Sequence, residues 1–157
     1  MRMTRIGVVG LLVTALLLGG APVAASASTP DDVDPQIAQL LEDNPGGILI
    51  DGTHAVWPEL GMEASVARSG GPAARSVGPC ATGRICIFTG QLTGLTVSWS
   101  ICGTLPAPSG FIPRSLVNAR PSGYAQARSS SGGVLATAYA GSWVPVGGTA
   151  TTVRCVF

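Results

Sequence analysis

The sequence predicts an all-β domain with a short helix and a hairpin ahead of it, and three observations carry that prediction. From Cys80 onward, short runs rich in β-branched and aromatic residues are punctuated by Gly, Ser and Pro, with no long helical period. One of these runs, residues 95–102 (LTVSWSIC), alternates strictly. Leu95, Val97, Trp99 and Ile101 point one way and Thr96, Ser98 and Ser100 the other, the pattern of a half-buried antiparallel strand. All four cysteines, Cys80, Cys86, Cys102 and Cys155, stand in this stretch, and an even count in a small exported chain reads as a disulfide framework. Frequent short strands of this kind suggest a sandwich or a barrel.

The elements follow in order. Residues 1–27 read as a secretory signal peptide: Arg2 and Arg5, then the apolar run 6–20 (IGVVGLLVTALLLGG), then small residues suited to cleavage after Ala27. The run is shorter than the roughly 20 residues of a membrane span, so no transmembrane segment is expected and the localisation is secreted. Residues 28–74 form an acidic front segment. In it, Asp34 can cap a helix with Pro35 at its first position. Asn44, Pro45 and two glycines end that helix, and Ile37, Leu40 and Leu41 make its apolar face. Asp51–Gly52 marks the turn of a hairpin between two apolar runs. Residues 67–79 (ARSGGPAARSVGP) read as a linker or long loop. Residues 75–157 form the β domain. Beside the run already described, RICIF (84–88), joined to it through TGQLTG, reads as a strand, and so do VLATAY (134–139) and TTVRCVF (151–157). In the last of these, Val153, Cys155 and Phe157 share a face.

Charge is segregated along the chain. Every acidic residue lies between Asp31 and Glu63, every arginine beyond the leader lies at or after Arg68, and lysine is absent. From Arg75 on there is no Asp, Glu, His or Lys. General acid–base catalysis needs a group that titrates near working pH, and arginine does not. A serine nucleophile needs a base beside it, calcium and magnesium want carboxylate oxygens, and a glycosidase wants two carboxyl groups. The β domain can assemble none of these alone, so no enzyme and no cofactor are expected. The exception would lie at the seam, where Asp51, His54, Glu59 and Glu63 cluster in sequence. Their order fits no metal or triad motif and reads as a solvated acidic loop. Cys80 and Cys86 are spaced C-x5-C, not CxxC. The single histidine, His54, lies away from the cysteines, so neither a redox pair nor a zinc site is indicated.

CATGRICIFTGQLTGLTVSWSICG (80–103), SLVNARPSG (115–123), the terminal TTVRC (151–155) and the upstream NPGGILIDGTHAVWPELG (44–61) together resemble the secreted actinobacterial proteins grouped as peptidase inhibitor family I36. The resemblance implies a βγ-crystallin-like fold, two Greek-key halves packed as a sandwich, and inhibition of proteases of the thermolysin-like metalloprotease class. Within it, Phe88 and Gly94 match the aromatic and the glycine of a Greek-key turn. The spacing is one residue short, and Leu92 replaces the second aromatic. Ser115 matches the serine that ties the hairpin. Calcium-binding versions carry Asn or Asp just upstream of that serine; Gly110 and Phe111 stand there, so no metal site is expected. Tyr139, Gly141 and Trp143 are a loose echo of the motif in the second half. Thr82, Gly83 and Arg84, between Cys80 and Cys86, are the candidate protease-contact loop, with a structural turn as the alternative.

Four cysteines allow three pairings. Cys80–Cys86 with Cys102–Cys155 is favoured, since the first closes a short loop and the second ties the C-terminal strand back; Cys80–Cys102 with Cys86–Cys155 stays open. The leading function is a secreted, monomeric peptidase inhibitor acting on an extracellular protease. The alternative is a binding or antimicrobial module on an anionic cell-wall or membrane surface, drawn there by the arginines. A plain scaffold of a surface assembly is a further reading. Scattered arginines do not suit nucleic acid. The acidic front segment is expected to dock on the basic domain, as a mask or simply as part of the fold, with Ile48, Ile50, Val56 and Trp57 burying the contact.

Overall fold

The computed structural model of the chain describes residues 32–66 and 77–157. The signal-peptide reading of 1–27, most of the linker reading of 67–79 and the 74/75 junction lie outside the described residues.

Helix α1 spans Pro35–Asp43. Asp34 caps it, its Oδ1 accepting the Gln36 N–H at 2.9 Å, and Pro35 occupies the first turn, where no intrahelical N–H is needed. Asn44 closes it by donating its backbone N–H to the Leu40 carbonyl. Ile37 and Leu40 are buried. The hairpin follows as β1 (Ile48–Asp51) and β2 (His54–Trp57), turned at Gly52. The Trp57 indole donates to the Asn44 carbonyl at 2.8 Å, which fastens the helix end to the hairpin. Gly47 is required here: a Cβ at that position would stand 2.6 Å from the indole ring of the buried Trp57.

A third strand, β3 (Met62–Val66), was not expected from the sequence. The β domain continues with β4 (Ile85–Phe88), β5 (Leu95–Trp99), β6 (Thr104–Pro106) and β7 (Ser115–Asn118). It ends with β8 (Tyr124–Arg128), β9 (Val134–Tyr139), β10 (Ser142–Pro145) and β11 (Thr152–Val156). These strands make two antiparallel sheets, so the described chain is all-β apart from its short helix. One sheet has seven strands in the order β1-β2-β3-β5-β4-β7-β10, the other four in the order β6-β11-β8-β9. In each run of four consecutive strands, β4–β7 and β8–β11, three stay in one sheet and the third crosses to the other.

The front segment is part of the fold of the domain. Strand β3 pairs with β5 from Met62↔Trp99 to Val66↔Leu95, so the acidic hairpin extends the sheet of the basic domain. The contact residues differ from expectation. Trp57 is buried, together with Ala55, Met62 and Ala64, and Val56 is half-buried, but Ile48 and Ile50 are more than half exposed because they stand on the outermost strand, with no strand beyond it among the described residues. The main core lies between the sheets: Trp57, Trp99, Ile85, Ile87, Val97, Leu116 and Val153 are all buried there, and α1 adds Ile37 and Leu40.

Two expected strand faces stop early. Strand β5 ends at Trp99, so Ile101 leaves the sheet and is 46% exposed. Strand β11 buries Val153 and Cys155, but Phe157 lies past its end, 75% exposed, with the Arg120 guanidinium 4.7 Å over its ring.

Candidate functional site

Strand β4 buries both faces, and this follows from its sequence, a continuous apolar run with no polar alternation. Ile85 and Ile87 face the main core. Cys86 and Phe88 face outward and form a second small core with Cys80, Val117 and Ala119, flanked by Val77 and Leu92. The loop ahead of β4 covers this patch. It is held by the Cys80–Cys86 disulfide, with Cα atoms 5.9 Å apart, and by a Val77↔Cys80 bridge. The Cys102–Cys155 disulfide ties β11 to the segment leading into β6. The favoured pairing is the one found, and no described cysteine is free.

Within the closed loop, the Gly83 N–H donates to the Ala119 carbonyl at 2.8 Å and the Ala119 N–H to the Arg84 carbonyl at 2.9 Å. Ala81 and Thr82 are left exposed at the tip. Arg84 does not project with them. Its Nη1 lies 2.6 Å from Glu63 Oε2 on β3 and donates to Ser98 Oγ on β5 at 2.9 Å. Within this loop, then, Thr82 presents itself, Gly83 is pinned, and Arg84 turns back as a brace on the sheet.

The seam residues part company. His54 Nε2 stands 2.9 Å from Glu63 Oε1, so the histidine, the glutamate and Arg84 form one cluster on the outer face of the seven-stranded sheet. Asp51 Oδ1 closes its own turn, accepting from the Thr53 N–H and hydroxyl. Glu59 sits exposed in the 3-10 turn Pro58–Leu60. No signal in the sequence put Glu63 against Arg84; only the register of an unexpected strand does. Among the described residues, no three His, Cys, Asp or Glu side chains converge as metal ligands.

Phe88, Gly94 and Ser115 meet at the β4–β5 turn. Ser115 Oγ donates to the Gly90 carbonyl at 2.9 Å and accepts the Leu92 N–H at 3.1 Å, tying the turn to β7. Gly94 holds φ +80°, which glycine alone adopts freely. The turn between β8 and β9 is closed locally: Ser129 Oγ accepts the Gly133 N–H at 3.1 Å. Tyr139 ends β9, Gly141 lies in the turn that follows and Trp143 is on β10, so these three residues belong to the β9–β10 turn and not to the β8–β9 turn. Phe111 is buried in the main core, and the Ser109 N–H beside it donates to Asn44 Oδ1 at 3.0 Å. A cleft of about 150 Å³ separates α1 from this loop, lined by Gln36, Gln39, Asp43, Thr89, Ser109 and Phe111 among others.

Comparison with protein-family models, with curated proteins and with solved structures finds no match to this chain. Among the described residues, no helix is long and apolar enough to cross a membrane.

Proposed function

We propose that the chain is an exported peptidase inhibitor of family I36 type, built on a βγ-crystallin-like pair of Greek keys. Two features support the fold reading: the exchange of the third strand of each quartet between the sheets, and the Ser115 tie across the first turn. Two disulfides in so small a domain fit an oxidising compartment.

The observation that carries the inhibitor reading is the loop from Cys80 to Cys86. It is closed by a disulfide, hydrogen-bonded to Ala119 on both sides of its Gly83–Arg84 peptide, and exposed at Ala81 and Thr82. A loop held in one conformation loses little entropy on docking, which is what a protease-facing segment needs. In this reading Thr82 makes the contact and Arg84 fixes the loop on the sheet without entering the protease.

The test is titration of the oxidised protein against secreted proteases that include a thermolysin-like enzyme. Stoichiometric loss of activity is expected, and Thr82→Glu should weaken inhibition at least about tenfold with an unchanged melting temperature. Full protease activity at excess protein across the panel would overturn the reading.

A further inference from the structure

The outer face of the four-stranded sheet is independent of the loop and of the inhibitor reading. Strands β8 and β11 alternate cleanly, with Ala125, Ala127, Val153 and Cys155 inward. Their other residues face away from the core. Tyr124 stands opposite Tyr139, Gln126 opposite both Thr137 and Arg154, and Arg128 opposite Thr152. Arg128 and Arg154 are thus diagonal neighbours on adjacent strands, with roughly 7 Å between them by sheet geometry. The tyrosine row lies two residues along the strand from Gln126, roughly 7 Å from the Arg154 row and roughly 13 Å from Arg128.

Three properties of this face point to a ligand. It carries no carboxylate side chain, since the chain has none after Glu63, and neither arginine has a described ion-pair partner. Arg128 is only partly buried, and its Nε has no hydrogen-bond partner among the described residues. Tyr124 and Tyr139 pack edge to face with ring centroids 6.5 Å apart, and Tyr139 is 68% exposed. The face therefore offers aromatic surface, amide and hydroxyl hydrogen-bonding groups, and two unneutralised guanidinium groups within a few residues.

We infer that this face binds an acidic polysaccharide, with Arg128 and Arg154 taking the sugar carboxylates, Gln126 and Thr137 its hydroxyls, and Tyr139 stacking on a ring. Guanidinium groups pair with carboxylates in bidentate fashion. Aromatic rings provide a flat apolar platform beside a polar handle. Two arginines are too few for the electrostatic stripe a nucleic acid requires. A membrane would call for a continuous apolar surface, whereas here the exposed Val134, opposite Arg128, is parted from the tyrosines by the polar row of Thr137, Gln126 and Arg154.

The test is affinity electrophoresis of the oxidised protein in gels containing polygalacturonate or dextran, at low and at high salt. Retardation by polygalacturonate, weakened by salt and absent with dextran, is expected. Arg154→Gln and Tyr139→Ala change exposed side chains. Each should weaken retardation about tenfold, the loss of one charge-assisted contact or one stacking platform. Melting curves of both variants should match the parent. No retardation, or retardation unchanged in both variants, would overturn the assignment. So would tighter capture by phosphatidylglycerol vesicles or by DNA that the same substitutions abolish, since the face would then belong to another polyanion.

Discussion

Glu63 and Arg84 meet at 2.6 Å on the outer face of the seven-stranded sheet, the point where the acidic front of the chain is bound to its basic back. Both side chains are about one-third exposed, at 31% and 30%, so solvent screens the pair. A double-mutant cycle with Glu63→Gln and Arg84→Met is expected to give a coupling of about 0.5–1 kcal/mol. That coupling should shrink as salt is added. A coupling that salt leaves unchanged would mean the contact acts through packing instead of charge.

The two disulfides should contribute unequally. Cys80–Cys86 spans 6 residues of sequence separation and Cys102–Cys155 spans 53. The chain-entropy relation gives about 2 kcal/mol for the first and about 4 kcal/mol for the second. Paired Cys→Ala variants, compared by denaturant unfolding, should rank in that order. The short bridge also covers the small outer core, so its loss should expose Phe88 and Val117 to dye binding. An unchanged melt after full reduction would contradict both expectations.

Ser115 makes its two hydrogen bonds from a fully buried position. Ser115→Ala would strand the Leu92 N–H and the Gly90 carbonyl, at a cost of about 1–3 kcal/mol. Amide hydrogen exchange at Leu92 should accelerate with little change at Gly133, whose turn is closed by its own Ser129.

The front segment should be indispensable. Trp57 is 1% exposed and Ala64 is paired opposite Val97. Trp57→Ala is expected to cost about 3–5 kcal/mol. A chain beginning after Val66 would leave the edge of β5 and the inner side of Trp99 uncovered, and should bind hydrophobic dye or fail to fold. A truncated protein as stable as the parent would show the hairpin to be an ornament.

The helix, its caps, the Asp51–Gly52 turn and the alternation around Val97 were legible because each depends on neighbours within a few residues. Asp34 caps Gln36, Pro35 needs no donor, and a period of two separates Leu95, Val97 and Trp99 from Thr96 and Ser98. Charge segregation was likewise readable by inspection. Strand β3 was not, since Met-Glu-Ala-Ser-Val has weak local preference and becomes a strand through its pairing with β5 on one side and β2 on the other. Nor was the fate of Arg84. Between two cysteines, an arginine in a tight loop looks free to project, but the register that sets Glu63 opposite Ser98 draws its side chain down onto the sheet. The sequence by itself determined an all-β domain with a capped helix and the placement of every charge along the chain. Only the tertiary structure decided which charges meet, which described arginines lack an ion-pair partner among the described residues and which sheet face is open. Those outcomes depend on strand pairing between residues far apart in the chain, and short-range preference does not encode that.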